Sequence, residues 1–304
     1  MRKLVTILMA ALLLGFGAAQ EPITIGSKID TEGNLLAQMI GIMLEHNGID
    51  VIDRAGFGTT SVVRQALLAG EIDLYPEYTG TALTFFPDVD FPKGLSTQPE
   101  ALYQKVKELD LQRNNVVWLG HAPANNTWAI AVPKDLAREY NLETMADFAR
   151  YVNEGNPVKL AASQEFVDRP DALPAFEKTY GFKLEDDQLV ILAGGNTLQT
   201  ETAANRGTDG VNAAMAYGTD GSLAALDLVA LDDPKNAVAI YQPAPIVRAD
   251  VAKAYPQLGD ILNPVFATLD RATLQKLNAR IAVNGEDPAA VARDYLQSQG
   301  FLGG

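Results

Sequence analysis

The chain has 304 residues, with 38 acidic against 24 basic, and a formal net charge of −14. Such an excess of negative charge repels nucleic acid and anionic lipid, so a polyanionic partner is excluded. Cysteine is absent, which also excludes disulfides, thiolate zinc sites and thiol catalysis.

The first stretch, MRKLVTILMAALLLGFGAAQ, opens with Arg2 and Lys3, runs apolar from Leu4 to Phe16 and ends in small residues. That is the pattern of a secretory signal peptide. Gly17 and Ala19 fit the positions before a cleavage site, so residues 1–19 are expected to be removed. The alternative is a membrane anchor, but the run is shorter than the ~20 residues that span a bilayer. No cysteine lies near the cleavage point to carry a lipid. Residues 1–19 hold two basic and no acidic residues, so their loss leaves 285 residues and a charge of −16. The expected location is the periplasm, without an anchor.

Beyond the leader, PITIGSK alternates as a short strand. Thr31 and Asn34 lead into LLAQMIGIMLEHNG, where Leu35, Met39, Ile42 and Met43 share one helical face and Asn47-Gly48 ends it. VIDRAGF returns as a strand. Thr59 or Thr60 caps SVVRQALLAG, with Val62, Val63, Ala66 and Leu67 turned inward and Gly70 as the stop. EIDLY is the next strand. This β-α-β-α-β order predicts a mostly parallel sheet covered by helices. Thr97 and Glu100 have capping-box spacing before the helix of TQPEALYQKVKELD. VVWLG and WAIAV read as strands, LETMADFARYV as a helix, VKLAA as a strand and DALPAFEKTYG as a helix. QLVIL and VNAAMAYG follow as strands, and the chain from about Asp250 reads as mainly helical. Two α/β lobes with no flexible tether predict a cleft between them, where small ligands bind.

Signatures of chemistry are missing. The sequence has no G-x-S-x-G elbow, Walker loop, G-x-G-x-x-G after a strand, or H-E-x-x-H. His46 and His121 are the only imidazoles and are far apart in sequence, so no metal site is expected. The GGN run, Gly194 to Asn196, is open to two readings, a tight turn or an anion cradle. Aromatic placement says more. Tyr78, Trp128, Tyr217 and Tyr241 each sit at or near the end of an apolar strand-like run. Each alone is compatible with core packing. Together they suit one chamber for a soft cation, because a quaternary ammonium has no N–H and is held by the negative faces of rings.

IGSK, GEIDLYPEYTGTAL, NNTWAIAV, EFVDRPDALPAFEKTYG, AYGTDG and YQPAPIVR occur in that order. Through these blocks the chain resembles the substrate-binding proteins of ABC importers for glycine betaine, choline, carnitine and related osmoprotectants. The resemblance covers nearly the whole mature chain. It implies an α/β fold of the two-lobe type II periplasmic binding class, with a ligand cleft and a hinge. Lobe 1 would be 20–124 plus 242–304, and lobe 2 would be 125–241. It implies a cation cage of Tyr78, Trp128, Tyr217 and Tyr241. Lys28, Thr81 and Arg169 would serve the ligand's carboxylate end, and Asn126 would be a polar lining group. YPEYTGT would then end a strand at the cleft mouth, with Pro76 and Gly80 shaping the turn and Tyr75 as a support. Trp128 departs from the pattern, since that position is commonly tyrosine. Lys28 and Arg169 keep a second reading each: a solvated lysine, and an ion pair with Asp168 or Asp171. The implied partner is a membrane permease driven by a separate ATPase, served by a monomer that needs no cofactor and binds no nucleic acid. An amino acid or other zwitterion remains the alternative ligand, and would require a carboxylate for its N–H groups. A secreted enzyme on the same fold is the third reading.

Overall fold

The computed structural model describes residues 21–193 and 196–303. The expected leader, residues 1–19, lies outside them, as do Gly194 and Gly195. Among the described residues ten strands form two five-stranded sheets. They are β1 (Ile23–Lys28), β2 (Val51–Gly58), β3 (Leu74–Tyr78), β4 (Val116–Trp118), β5 (Trp128–Pro133), β6 (Leu160–Ser163), β7 (Leu189–Leu192), β8 (Ala213–Tyr217), β9 (Leu228–Ala230) and β10 (Pro243–Arg248). The first sheet has the order β2-β1-β3-β10-β4, the second β7-β6-β8-β5-β9.

Both sheets are mixed, where the order of elements predicted mostly parallel ones. β1 pairs parallel with β2 and β3, and β6 with β7 and β8. β10 runs antiparallel between β3 and β4, and β5 between β8 and β9. Each antiparallel strand follows a passage of the chain from one sheet to the other. The chain therefore enters the new sheet from the opposite end, and no helical crossover sets its direction.

The helix Thr31–His46 forms as its periodicity predicts, but its cap is Asp30, whose carboxylate accepts from Gly33 N at 2.7 Å. Leu35, Leu36, Met39, Ile40, Ile42, Met43 and Leu44 are all buried, so the helix is apolar on more than one face. It packs between β1 and the C-terminal helices Leu258–Phe266, Arg271–Ala282 and Pro288–Ser298. In the helix Thr60–Ala69, Val63, Ala66 and Leu67 are buried, whereas Val62 is 47% exposed and does not join the core. The expected Thr97 capping box is also replaced. Thr97 ends a short 3₁₀ turn, its hydroxyl donates to Gly94 O, and the helix Pro99–Asn114 starts at proline. Proline loses nothing at a helix start, where its missing N–H would have had no partner.

Pro76 lies inside β3 and not in a turn after it. β1 pairs with β3 only at Leu74, so no partner on that side needs an N–H from Pro76. On the other side Pro76 faces Pro245 of β10. The turn comes later, at the single helical turn Thr79–Ala82. Tyr241 does not end a strand either. It sits in the extended segment before β10, whose first residue is Pro243. Several helices had no clear signal in the sequence, among them Lys134–Tyr140 and Thr197–Arg206. Asn196 caps the second by accepting from Leu198 N at 3.0 Å.

The two passages between the sheets lie side by side. Asn126 N donates to Tyr241 O at 2.9 Å, and Tyr241 N donates to Asn125 Oδ1 at 2.8 Å. Thr79 N also donates to Gln242 O at 3.0 Å. These bonds place the ends of β3 and β5 and the start of β10 around one point between the sheets.

Candidate functional site

A cavity of about 40 Å³ lies at that point. Its wall includes Lys28, Asp30, Tyr78, Thr81, Asn126, Trp128, Glu165, Arg169, Tyr217 and Tyr241. The residues expected from sequence, Lys28, Thr81, Asn126, Arg169 and the four aromatic residues, are thus brought together in one place. Beside it is a larger groove of about 560 Å³, which shares Thr59, Thr60, Glu165 and Arg169 with the cavity wall.

The rings come from four strand ends or crossings. Tyr78 closes β3, Trp128 opens β5, Tyr217 closes β8 and Tyr241 precedes β10. Trp128 and Tyr217 are register partners, with ring centroids 4.7 Å apart, and Trp128 meets Tyr241 edge-on at 6.5 Å. Phe166 backs Trp128 at 5.2 Å. Tyr78, Trp128 and Tyr241 are each at least nine-tenths buried. Gly80 is required for this approach. A Cβ there would stand 2.7 Å from Ile240 O and 3.0 Å from the Tyr241 ring.

The cations of the wall are already paired. Lys28 Nζ lies 2.5 Å from Glu77 Oε1 and 4.9 Å from the Tyr78 ring centroid. Glu77 is fully buried and also accepts from Tyr75 Oη at 2.9 Å and Tyr78 N at 2.7 Å. Tyr75 is therefore a support behind the wall. Arg169 holds Asp171 through two bonds, Nε–Oδ1 at 2.9 Å and Nη2–Oδ2 at 2.6 Å, and reaches Glu165 Oε1 with Nη1 at 2.9 Å. Asp168 is not its partner and instead accepts from Gln164. The Tyr241 hydroxyl donates to Asp171 Oδ2 at 2.8 Å, so this carboxylate links Arg169 to a cage ring. The Arg169 guanidinium also stands 5.7 Å from the Trp128 ring centroid.

Two wall carboxylates, Asp30 and Glu165, were not singled out from sequence. A helix cap before Thr31 was the one available signal for Asp30. Burial pushes the Asp30 carboxyl above its ordinary range, against the opposing pull of the Gly33 N–H and Lys28. Burial also acts on Glu165, but Lys28, Thr60 and Arg169 outweigh it and hold that carboxyl low. Asp171 is held low in the same way, with Arg169 overcoming its burial. Asn126, read as a lining group, donates its amide to Glu32 Oε1 at 2.7 Å.

The arrangement combines π faces, two paired cations and nearby carboxylates, groups that can hold a small cation or zwitterion. Among the described residues no cluster of histidine, aspartate and glutamate could hold a metal ion. His121 packs on Tyr103, with ring centroids 4.5 Å apart, away from the wall. No helix of the described residues is long and apolar enough to cross a membrane.

Two sheets joined by paired crossings, with an aromatic-lined cavity between them, have the fold of the type II periplasmic binding class. Residues 21–298 match the family described as the substrate binding domain of the ABC-type glycine betaine transport system, and the chain belongs to that family. The glycine betaine-binding protein YehZ of Escherichia coli (strain K12) is 52% identical over 295 residues, 97% of this chain and 96% of that protein. The solved structure of apo YehZ from the same species is 53% identical, with a TM-score of 0.69, covering 93% of this chain and 100% of that one. The lactococcal OpuAC in its closed-liganded conformation with glycine betaine shares the fold at 16% identity, with a TM-score of 0.60 over 93% of this chain and 98% of that one.

Proposed function

We propose that this chain is the extracytoplasmic binding component of an ABC importer and captures a quaternary ammonium osmolyte of the glycine betaine, choline or carnitine type. The observation that carries this reading is the convergence of Tyr78, Trp128, Tyr217 and Tyr241, from both sheets, on one cavity. A trimethylammonium group offers no N–H, and ring faces recognise its charge without one. The relative named as a glycine betaine-binding protein, aligned over nearly the full chain, supports the same ligand class.

In this reading the sheets mark two lobes, 20–124 plus 242–304 and 125–241, and the paired crossings between them act as the hinge. Cleavage after Ala19 releases the chain, without a lipid, into the periplasm. There it works as a monomer, carries out no chemistry and delivers its ligand to a membrane permease. A cavity of about 40 Å³ has room for only a few water molecules, so ligand entry requires the lobes to part and the rings to separate. Lys28, Thr81 and Arg169 then face the ligand's carboxylate end. Lys28 and Arg169 meet it while still held by Glu77, Glu165 and Asp171, so a ligand carboxylate must compete with these acids. That competition favours a ligand whose cationic head supplies most of the binding.

A second ligand reading has its own observation. Asp30 and Glu165 offer the carboxylates that an ammonium with N–H groups would use. Calorimetry of the purified mature chain with glycine betaine, choline, the neutral carbon isostere of choline and a set of amino acids tests both. The cage reading expects betaine or choline to bind and the isostere to bind poorly. Binding of amino acids alone, or of isostere and choline alike, overturns it.

A further inference from the structure

Glu32 is a buried carboxylate that the cavity wall does not include, and it lies directly behind the wall. It is 3% exposed and sits in the first turn of the helix Thr31–His46. Its Oε1 accepts from the Tyr78 hydroxyl at 3.1 Å and from Asn126 Nδ2 at 2.7 Å. Its Oε2 accepts from Asn278 Nδ2 at 2.8 Å. The same Asn278 nitrogen donates to Thr219 O at 3.1 Å, two residues after the cage residue Tyr217. A carbonyl oxygen can only accept, so the Asn278 amide points its NH₂ at both oxygens and Glu32 Oε2 is an acceptor. The helix N-terminus adds positive potential at this position. Donors thus reach one carboxylate from β3, from the crossing before β5 and from the helix Arg271–Ala282. Through Asn278 the link extends to the loop after β8.

We propose that Glu32 is a positioning residue for the cage: it fixes Tyr78 through its hydroxyl, ties that ring to the second sheet, and makes the site select for full positive charge. The inference rests on the quaternary-ammonium reading above. The physical basis has two parts. A phenol that donates to a carboxylate is polarised toward a more negative ring, which strengthens attraction to a cation. Burial pushes the Glu32 carboxyl above its ordinary range, while the donated bonds of Asn126 and Asn278 oppose that push and favour the carboxylate, whose charge also acts directly on the cavity across an interior of low dielectric. Neither part acts on an uncharged ligand of the same shape. Lys28, over the same ring, does not cancel this effect, because Glu77 neutralises it at 2.5 Å.

The test is a double-mutant cycle read by calorimetry with choline and its neutral carbon isostere. The proteins are wild type, Glu32→Gln, Tyr78→Phe and the double variant, each checked for a cooperative melt. Glu32→Gln keeps the shape and removes the charge. It is expected to weaken choline by about fivefold or more and to leave the isostere within about twofold. Its effect on choline should shrink in the Tyr78→Phe background, because the phenol that relays part of it is gone. Equal loss for choline and isostere makes Glu32 merely structural and overturns the proposal, as does an unchanged choline affinity. Should Glu32→Gln fail to fold, Tyr78→Phe alone decides: a loss confined to choline supports the proposal, and no loss overturns it. A wild-type chain that binds choline while these variants show no charge-selective loss refutes only the role of Glu32. A wild-type chain that binds neither choline nor betaine refutes the ligand reading and this inference with it.

Discussion

Trp128 and Tyr217 are direct partners across the antiparallel β5–β8 pair, and their rings lie 4.7 Å apart at an interplanar angle of 36°. Each ring therefore positions the other. A desolvated cation–π contact contributes up to about 2 kcal/mol, so leucine at either position is expected to weaken choline or betaine by roughly ten- to thirtyfold. The double variant should lose less than the product of the two, because the rings act as a unit. Tyr217→Phe should cost little. Tyr241→Phe should cost more, because its hydroxyl holds Asp171 at 2.8 Å. Calorimetry measures each. Leucine tolerated at all four cage positions would mean that the pocket is merely apolar.

Arg169 separates recognition of the ligand's tail from support of the cage. If it meets a ligand carboxylate, Arg169→Ala should weaken betaine at least about tenfold and choline by clearly less. The same substitution removes the guanidinium from Asp171 and Glu165, which are about a quarter exposed, so a loss of stability on the order of 1–2 kcal/mol is expected alongside. Paired titrations with betaine and choline, with chemical unfolding as a control, distinguish the two roles. Equal loss of both ligands would assign Arg169 to holding Asp171, and through it Tyr241.

Gly80→Ala tests the close approach of the crossing to β3. The added methyl would meet Ile240 O at 2.7 Å and the Tyr241 ring at 3.0 Å, and a backbone carbonyl cannot move aside cheaply. The expected result is a folded protein with Tyr241 displaced and ligand affinity reduced about tenfold or more, within the range of a lost ring contact. Wild-type affinity in Gly80→Ala would show that Tyr241 does not touch the ligand.

Behind Tyr217 lies a pair of acids, Glu201 fully buried and Asp220 half-buried. Tyr217 N donates to Asp220 Oδ2 at 2.6 Å, and the Ser222 hydroxyl donates to Glu201 Oε2. Burial pushes Glu201 from an ordinary 4.5 up to about 7, and burial together with the Glu201 charge pushes Asp220 well above its usual range. The folded chain thus binds protons more tightly here than the unfolded chain. The stability this gives is fully present below about pH 4.5 and is lost as pH rises through about 7. Its size is on the order of 3 kcal/mol. The melting temperature of wild type minus that of Glu201→Gln should therefore fall between pH 4.5 and 7.5. A difference that does not change with pH would remove the pair from the stability of the fold.

The sequence by itself determined most of the helices and strands and singled out the rings that line the cavity. Periodicity fixed the buried faces of Thr31–His46 and most of Thr60–Ala69, because helical spacing and apolar type are local properties. The aromatic residues at strand ends were legible for the same reason. What the tertiary structure decided is where charge goes. Lys28 takes Glu77, 49 residues away, and Glu32 takes Tyr78, Asn126 and Asn278 at separations of 46, 94 and 246 residues. Arg169 takes Asp171 and Glu165 and not its neighbour Asp168, although all three acids are close in sequence. Val62 faces water and Pro76 stays inside a strand because neighbouring elements set the surroundings of each. Pairing of buried charges depends on which chain ends converge in space, and no periodic pattern along one segment encodes that convergence.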